Sequence, residues 1–247
     1  MYLNEAGKQF PGVLCPPLMK YCFQPFLTRH CASNVLVSSG IISAMYTATI
    51  AIVCGYILGS FPSAYIAGRV RKGIDIRKVG TQNMGAMNVL YQVGATEGIL
   101  VLLIDGAKGI GAILLARWLG LPMLIQLSAG GAAVIGHSFP VFLKFRGGIG
   151  GATSLGILLF LMPRAIPFYL GIAVVALLIT RNLTFSYGAA LGCFPFVGWL
   201  IYHSATLVTF SIVLLLFLLV NNVPGIKAIF KEGSHRAILR ASLKDRR

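Results

Sequence analysis

Seven long apolar runs follow one another in this chain, at about 42–68, 95–118, 121–143, 151–163, 165–181, 184–203 and 205–221. They are continuously apolar rather than alternating, so they predict helices and not the strands of a barrel. An upright helix needs about 20 residues to cross the hydrocarbon, and most of the runs approach that length. The fourth is short and needs flanking residues or a neighbouring helix to complete its crossing. Only 11% of the 247 residues are charged and 57% are hydrophobic, whereas a soluble domain is about a quarter charged. The predicted fold class is all-α: a polytopic membrane protein of about seven transmembrane helices with short re-entrant or half-buried cytoplasmic loops.

The formal charge of +15 does not point to nucleic acid, because the basic residues lie between or after the apolar runs. They fit anionic lipid headgroups and a membrane orientation. With the amino end outside, the inner segments hold Arg69 to Lys78, then Lys144 and Arg146, then Arg181, then the basic residues of the tail. Together these are 15 of the 21 Lys and Arg. The positive-inside rule therefore places the 69–94 loop, the 144–150 loop and the carboxyl terminus at the cytoplasmic face of the membrane. Lipids of that membrane are the expected surroundings.

Pro11, Pro16, Pro17 and Pro25 interrupt helix formation in the first 40 residues, and no apolar stretch follows a basic start there. Met45 opens a more natural beginning at the first apolar run. The expected division is a poorly structured extension over 1–44 arising from start-site choice, a transmembrane domain over 45–222, and a basic tail over 223–247. The five cysteines lack any C-x-x-C spacing, and His30-Cys31 has no second ligand pair, so no metal site is expected.

Three polar segments stand out from the apolar body. The first, Gly73 to Asn88, gathers Gly80, Thr81, Asn83, Gly85 and Asn88 beside Arg77 and Lys78. Glycine lets the backbone turn tightly and approach a ligand, so its N–H groups can cradle an anion beside fixed cations. The bland reading is an ordinary basic loop at the inner face. The second, Gly136 to Thr153, carries Gly147, Gly148, Gly150 and Gly151 at the start of the next apolar run. Free N–H groups at a glycine-rich helix start form an anion site, although neither a Walker A loop nor a dinucleotide fingerprint is present. The alternative is a tight turn that uses glycine for packing. The third segment, at the end of the last run, holds Asn221 and Asn222.

Within the spans, Asp105 and Lys108 share a helix face three residues apart and can pair. An intramembrane charge is a functional hypothesis by default, and a neutralised structural pair competes with it. His137 at a helix end reads as a structural hydrogen-bonder ahead of a base. The patterns Gly55-Tyr-Ile-Leu-Gly59 and Gly188-Ala-Ala-Leu-Gly192 both offer close helix contacts.

Gly59 to Arg69, Gly73 to Asn88 and Gly136 to Gly150 together resemble the bacterial acyl-phosphate-dependent glycerol-3-phosphate acyltransferases. The resemblance runs from about 45 to 235. It implies a seven-span inner-membrane acyltransferase domain that moves an acyl chain from acyl phosphate to the 1-hydroxyl of glycerol 3-phosphate. The product would be lysophosphatidic acid, made without a cofactor, and an acyl-phosphate-producing enzyme is the implied partner. Thr81 and Asn83 are the implied catalytic residues. Asn88, Gly147, Gly148, Gly150, Gly151 and Asn222 are the implied substrate-binding residues.

The chain departs from the family pattern at several of these places. Thr81 stands for a serine, Gln82 for a glycine and Met87 for a threonine. Tyr91 occupies the place of an arginine, and Ile149 that of the lysine in Gly-Gly-Lys-Gly. Leu219 and His235 fall where a histidine and a glutamate belong. Charge-assisted bonds to phosphate are worth about 1.5–3 kcal/mol each, so the lost cations weaken the site unless Arg77, Lys78, Lys144 or Arg146 replaces them. The competing expectation is a non-catalytic paralogue that binds lipid or acyl phosphate, or partners an active copy. A transporter built on Asp105 and Lys108 is a third.

Overall fold

The computed structural model describes residues 26–223. The expected extension over 1–44 therefore lies largely, and the basic tail almost wholly, outside the described residues. The chain divides into two units, Met1–Met45 and Tyr46–Arg247, and the second carries the candidate site.

All the regular structure among the described residues is helical: α1 (Phe26–Gly59), α2 (Ser63–Lys72), α3 (Ala86–Gln92), α4 (Ala95–Trp118), α5 (Met123–Ser138), α6 (Gly151–Leu161), α7 (Ile166–Thr180), α8 (Leu183–Leu191), α9 (Cys193–Leu200) and α10 (Ala205–Asn221). Helix α1 starts at Phe26, and the four amino-terminal prolines lie outside the described residues.

Four segments are long and apolar enough to cross a membrane: Ile42–Lys72, Ala95–Trp118, Met123–Leu143 and Pro163–Thr180. Three further apolar helices, Gly151–Leu161, Phe185–Leu200 and Ala205–Asn221, are shorter. Length and hydropathy thus give a multi-pass membrane protein with four full-length spans, where the sequence predicted about seven. The sixth predicted span is divided at Gly192, between α8 and α9.

Glycine sets the distances between helices. A side chain at Gly55 or Gly59 would run into the backbone of Ala129 or Ala133 on α5, and one at Gly136 into the carbonyl of Tyr56. Backbones that close exclude any larger residue. The same holds between α4 and α6, where a Cβ on Gly156 would lie 2.6 Å from the Cα of Gly106. The Gly188–Gly192 pattern behaves otherwise: among the described residues nothing lies within 4 Å of a Cβ on Gly188.

Two apolar clusters hold the polar segments in place. Ile157, Leu158, Met162, Phe194, Val197, Leu214 and their neighbours bind α6 to α9 and α10. Ala64, Ile76, Met84, Val89, Val93 and Val101 form a smaller cluster beneath the first loop, between α2, α3 and α4. Outward-facing residues of α7, such as Leu170, Val174 and Leu178, are exposed and apolar, as a lipid-facing helix requires.

Candidate active site

The first loop is folded around a single amide. Asn88, only 1% exposed, donates its Nδ2 hydrogens to the carbonyls of Ile76 (2.9 Å), Val79 (3.1 Å) and Asn83 (2.9 Å). Its Oδ1 accepts the backbone N–H of Thr81 at 3.1 Å. Gly80 has φ +58°, and any side chain there would collide with Asn88 Oδ1, so conformation and space both demand glycine. Asn88 therefore organises the loop with all its polar capacity, whereas the family pattern implies a substrate contact for it. Thr81 and Gln82 are left exposed at the tip, and Asn83 is half-buried over Gly85.

Arg77 is also committed to the fold. Its guanidinium donates to both Asp75 oxygens at 3.0 and 2.9 Å, reaches the carbonyl of Leu143 at 3.4 Å, and lies 5.0 Å over the Tyr65 ring. The Arg77 hydrogen bonds hold the Asp75 carboxyl below the usual carboxylate range, and Asp75 in turn raises Arg77. Arg77 thus fastens the first loop to the second, its guanidinium engaged by Asp75 and the Leu143 carbonyl. Lys78, Lys144 and Arg146 remain exposed at these loops.

The glycine turn continues from α5 into α6. Gly147 and Gly148 donate their N–H groups to the carbonyls of Ser138 and His137, both at 3.1 Å. They are structural donors, which corrects the expectation that all four loop glycines offer free N–H groups. Gly150, with φ +93°, caps α6, and Gly151 opens it. The unused N–H groups of a helix start therefore lie from about Ile149 onward. Ile149 itself is partly buried against the main apolar cluster.

Buried hydroxyls surround this helix start. Ser138 Oγ, Thr153 Oγ1, Ser154 Oγ and the Tyr187 hydroxyl are buried and lack a hydrogen-bond partner among the described residues. A Cβ on Gly150 would lie 3.1 Å from Ser138 Oγ, and one on Gly151 2.8 Å from the Tyr187 hydroxyl. Buried polar groups are normally paired, so unpaired hydroxyls packed against a positively polarised helix start describe a place for an anion. Sequence reasoning missed Ser138 and Tyr187, since a lone hydroxyl in an apolar run gives no signal.

The last expected residue, Asn222, caps α10 and is half-buried. Leu218, one turn earlier, reaches the Gly150 position, so the end of α10 lies near the turn. Asn221, beside Asn222, has its Nδ2 buried and without a partner among the described residues.

Behind the loops lies a buried charged cluster. Lys108 Nζ contacts Asp105 Oδ1 at 2.8 Å, the Phe61 carbonyl at 2.9 Å and His137 Nδ1 at 3.3 Å. Ser63 donates to the same Asp105 oxygen. The helix break at Pro62 leaves the Phe61 carbonyl outside the helical ladder, where it accepts from both the Ser63 N–H and Lys108. The charge pair expected within the second span is present.

The glycerol-3-phosphate acyltransferase family model matches residues 49–232. The chain belongs to this family. A "Glycerol-3-phosphate acyltransferase 2" of Dehalococcoides mccartyi is 47% identical over 201 residues, covering 80% of this chain and 96% of the relative. The corresponding protein of Moorella thermoacetica is 34% identical, covering 76% and 96%. Among solved structures, PlsY (YgiH), described as an integral membrane glycerol 3-phosphate acyltransferase, superposes in its glycerol 3-phosphate form with a TM-score of 0.68 at 27% identity. That match covers 77% of this chain and 93% of the other. The lysophosphatidic acid form matches with a TM-score of 0.66.

Proposed function

We propose that this chain transfers an acyl group from acyl phosphate to the 1-hydroxyl of glycerol 3-phosphate, forming lysophosphatidic acid for phospholipid synthesis. The hydroxyl oxygen bonds to the acyl carbonyl carbon, the carbonyl–phosphate C–O bond breaks, and inorganic phosphate leaves with the electron pair. The hydroxyl proton departs with that phosphate. The observation that carries this reading is the α6 start, where free N–H groups meet the unpaired Ser138 and Tyr187 hydroxyls beside an apolar body. Such donors favour the developing oxyanion of acyl transfer without a dedicated base. Thr81 and Asn83 are proposed to act on the reacting groups from the facing loop. Gly150, Gly151 and Asn222 are proposed to bind substrate directly, while Asn88, Gly147 and Gly148 shape the site.

The three shorter apolar helices, added to the four long segments, support a seven-crossing arrangement over 45–222. The basic residues of the loops support a cytoplasmic site and carboxyl terminus. An acyl-phosphate-producing enzyme is the proposed upstream partner.

The test uses purified protein in lipid with acyl phosphate and radiolabelled glycerol 3-phosphate, followed by extraction of lysophosphatidic acid. Product above a Thr81→Ala, Asn83→Ala control is expected. Acyl-phosphate binding without product would instead support the non-catalytic paralogue.

A further inference from the structure

One side chain of the second loop, given no site role above, reaches the glycine turn from behind. His137 is 3% exposed, and its hydrogen bonding with the described residues is at Nδ1, to Lys108. An ammonium group donates and cannot accept. Since Lys108 spends its hydrogens on Asp105, Phe61 and His137, Nδ1 is the acceptor and the imidazole hydrogen sits on Nε2. That edge faces the turn: a Cβ on Gly148 would collide with His137 Nε2 and come within 2.5 Å of the Met84 carbonyl. The N–H edge thus lies at the seam where the first loop meets the turn. Donation by Lys108 also draws electron density from the ring and strengthens Nε2–H as a donor.

We propose that His137 is a phosphoryl-binding residue, its Nε2–H donating to an anionic oxygen held at the glycine turn, and that Lys108 and Asp105 are positioning residues that fix its tautomer. The inference rests on the acyl-transfer reading of this site. It supplies a donor at a turn where Ile149 brings no charge. The phosphoryl oxygen belongs to glycerol 3-phosphate or to acyl phosphate, and the kinetics separate the two.

His137→Asn keeps an acceptor near the Nδ1 position for Lys108 and deletes the Nε2 donor, whereas His137→Gln keeps a donor near Nε2. Each variant is compared in lipid for its thermal midpoint, its Kd for glycerol 3-phosphate and its KM for acyl phosphate. The asparagine variant is expected to raise one of these constants about 10- to 100-fold with an unchanged midpoint, and the glutamine variant to restore most of it. A higher Kd assigns the contact to glycerol 3-phosphate, and a higher KM alone assigns it to acyl phosphate. Constants within about twofold of wild type in a folded asparagine variant would overturn the proposal.

A second measurement leaves His137 itself intact and needs no turnover. The chain has four histidines, so nitrogen NMR of histidine-labelled full-length protein can isolate His137 by replacing the other three. The expected spectrum is the Nε2–H tautomer, with its Nε2 signal moving on titration with inorganic phosphate. An Nδ1–H tautomer, or no movement while phosphate binds, would refute it. Failure of wild-type protein to make lysophosphatidic acid would sink the enzyme reading while leaving this titration decisive for His137.

Discussion

The backbone N–H of Thr81 is held at 3.1 Å by the side-chain oxygen of Asn88, seven residues later in the chain. That one contact separates two roles the sequence could not separate. Asn88 is interior scaffolding whose loss removes its bonds to three carbonyls and the Thr81 N–H, while the exposed Thr81 side chain is free to meet a ligand. Asn88→Asp is expected to destabilise by about 2–4 kcal/mol, because a buried carboxylate would face carbonyls. Thr81→Ala is expected to stay within about 0.5 kcal/mol of wild type yet to lose acyl transfer at least about tenfold. Thermal unfolding in lipid, measured beside the transfer rate, distinguishes them. Equal stability losses would deny Thr81 a separate role.

The Asp75–Arg77 pair predicts a pH dependence with a definite sign. Arg77 depresses the Asp75 carboxyl in the folded protein, so the pair contributes fully above the usual carboxylate range. That contribution fades as pH falls through the depressed folded value. Hydrogen exchange of residues 73–85 should be unaffected by this pair from neutral pH down to mildly acidic pH, and should rise only under more acidic conditions. Asp75→Asn should loosen the same segment at neutral pH by releasing Arg77 from its anchor. An acid-independent loop in wild type would show that Arg77 is held by Tyr65 and Leu143 alone.

The two glycine patterns should respond oppositely to the same substitution. Gly59→Ala drives a methyl into the Ala133 backbone and is expected to cost about 1–3 kcal/mol. Gly188→Ala meets open space and adds helix propensity, so it should be neutral or slightly stabilising. A comparable loss at Gly188 would reveal a packing partner there, such as a second copy of the chain.

Much of the architecture was legible from hydropathy alone, because a membrane helix must satisfy its own backbone. Most of the predicted spans match helices closely, and Asp105 pairs with Lys108 as their spacing required. The breaks were less legible. Pro62 ends α1 within a continuous apolar run, and Lys108 bonds the Phe61 carbonyl from another helix, a contact with no local signature. The site was half legible for the same reason. Glycine and asparagine announced the two loops, but residue type does not say which donors are already spent. Asn88, Gly147 and Gly148 turned out to donate inward. Ser138, Tyr187 and His137 reach the turn only through tertiary packing.

That distinction decides what restoring the family cations would do. Tyr91 is 62% exposed on α3, so Tyr91→Arg should leave stability unchanged and lower the KM for glycerol 3-phosphate if the new guanidinium reaches the loop. Ile149 instead packs against the main apolar cluster. Ile149→Lys removes that contact and must carry its ammonium out toward the turn, so a stability loss of about 1–3 kcal/mol is expected. Thermal midpoints and Michaelis constants for both single variants and the double variant test this directly. A lysine at 149 that lowers KM at no cost in stability would mean that Ile149 can swing to the ligand side. The turn would then bind phosphate as the family pattern implies, and His137 would be a supporting donor rather than a replacement for the lost charge.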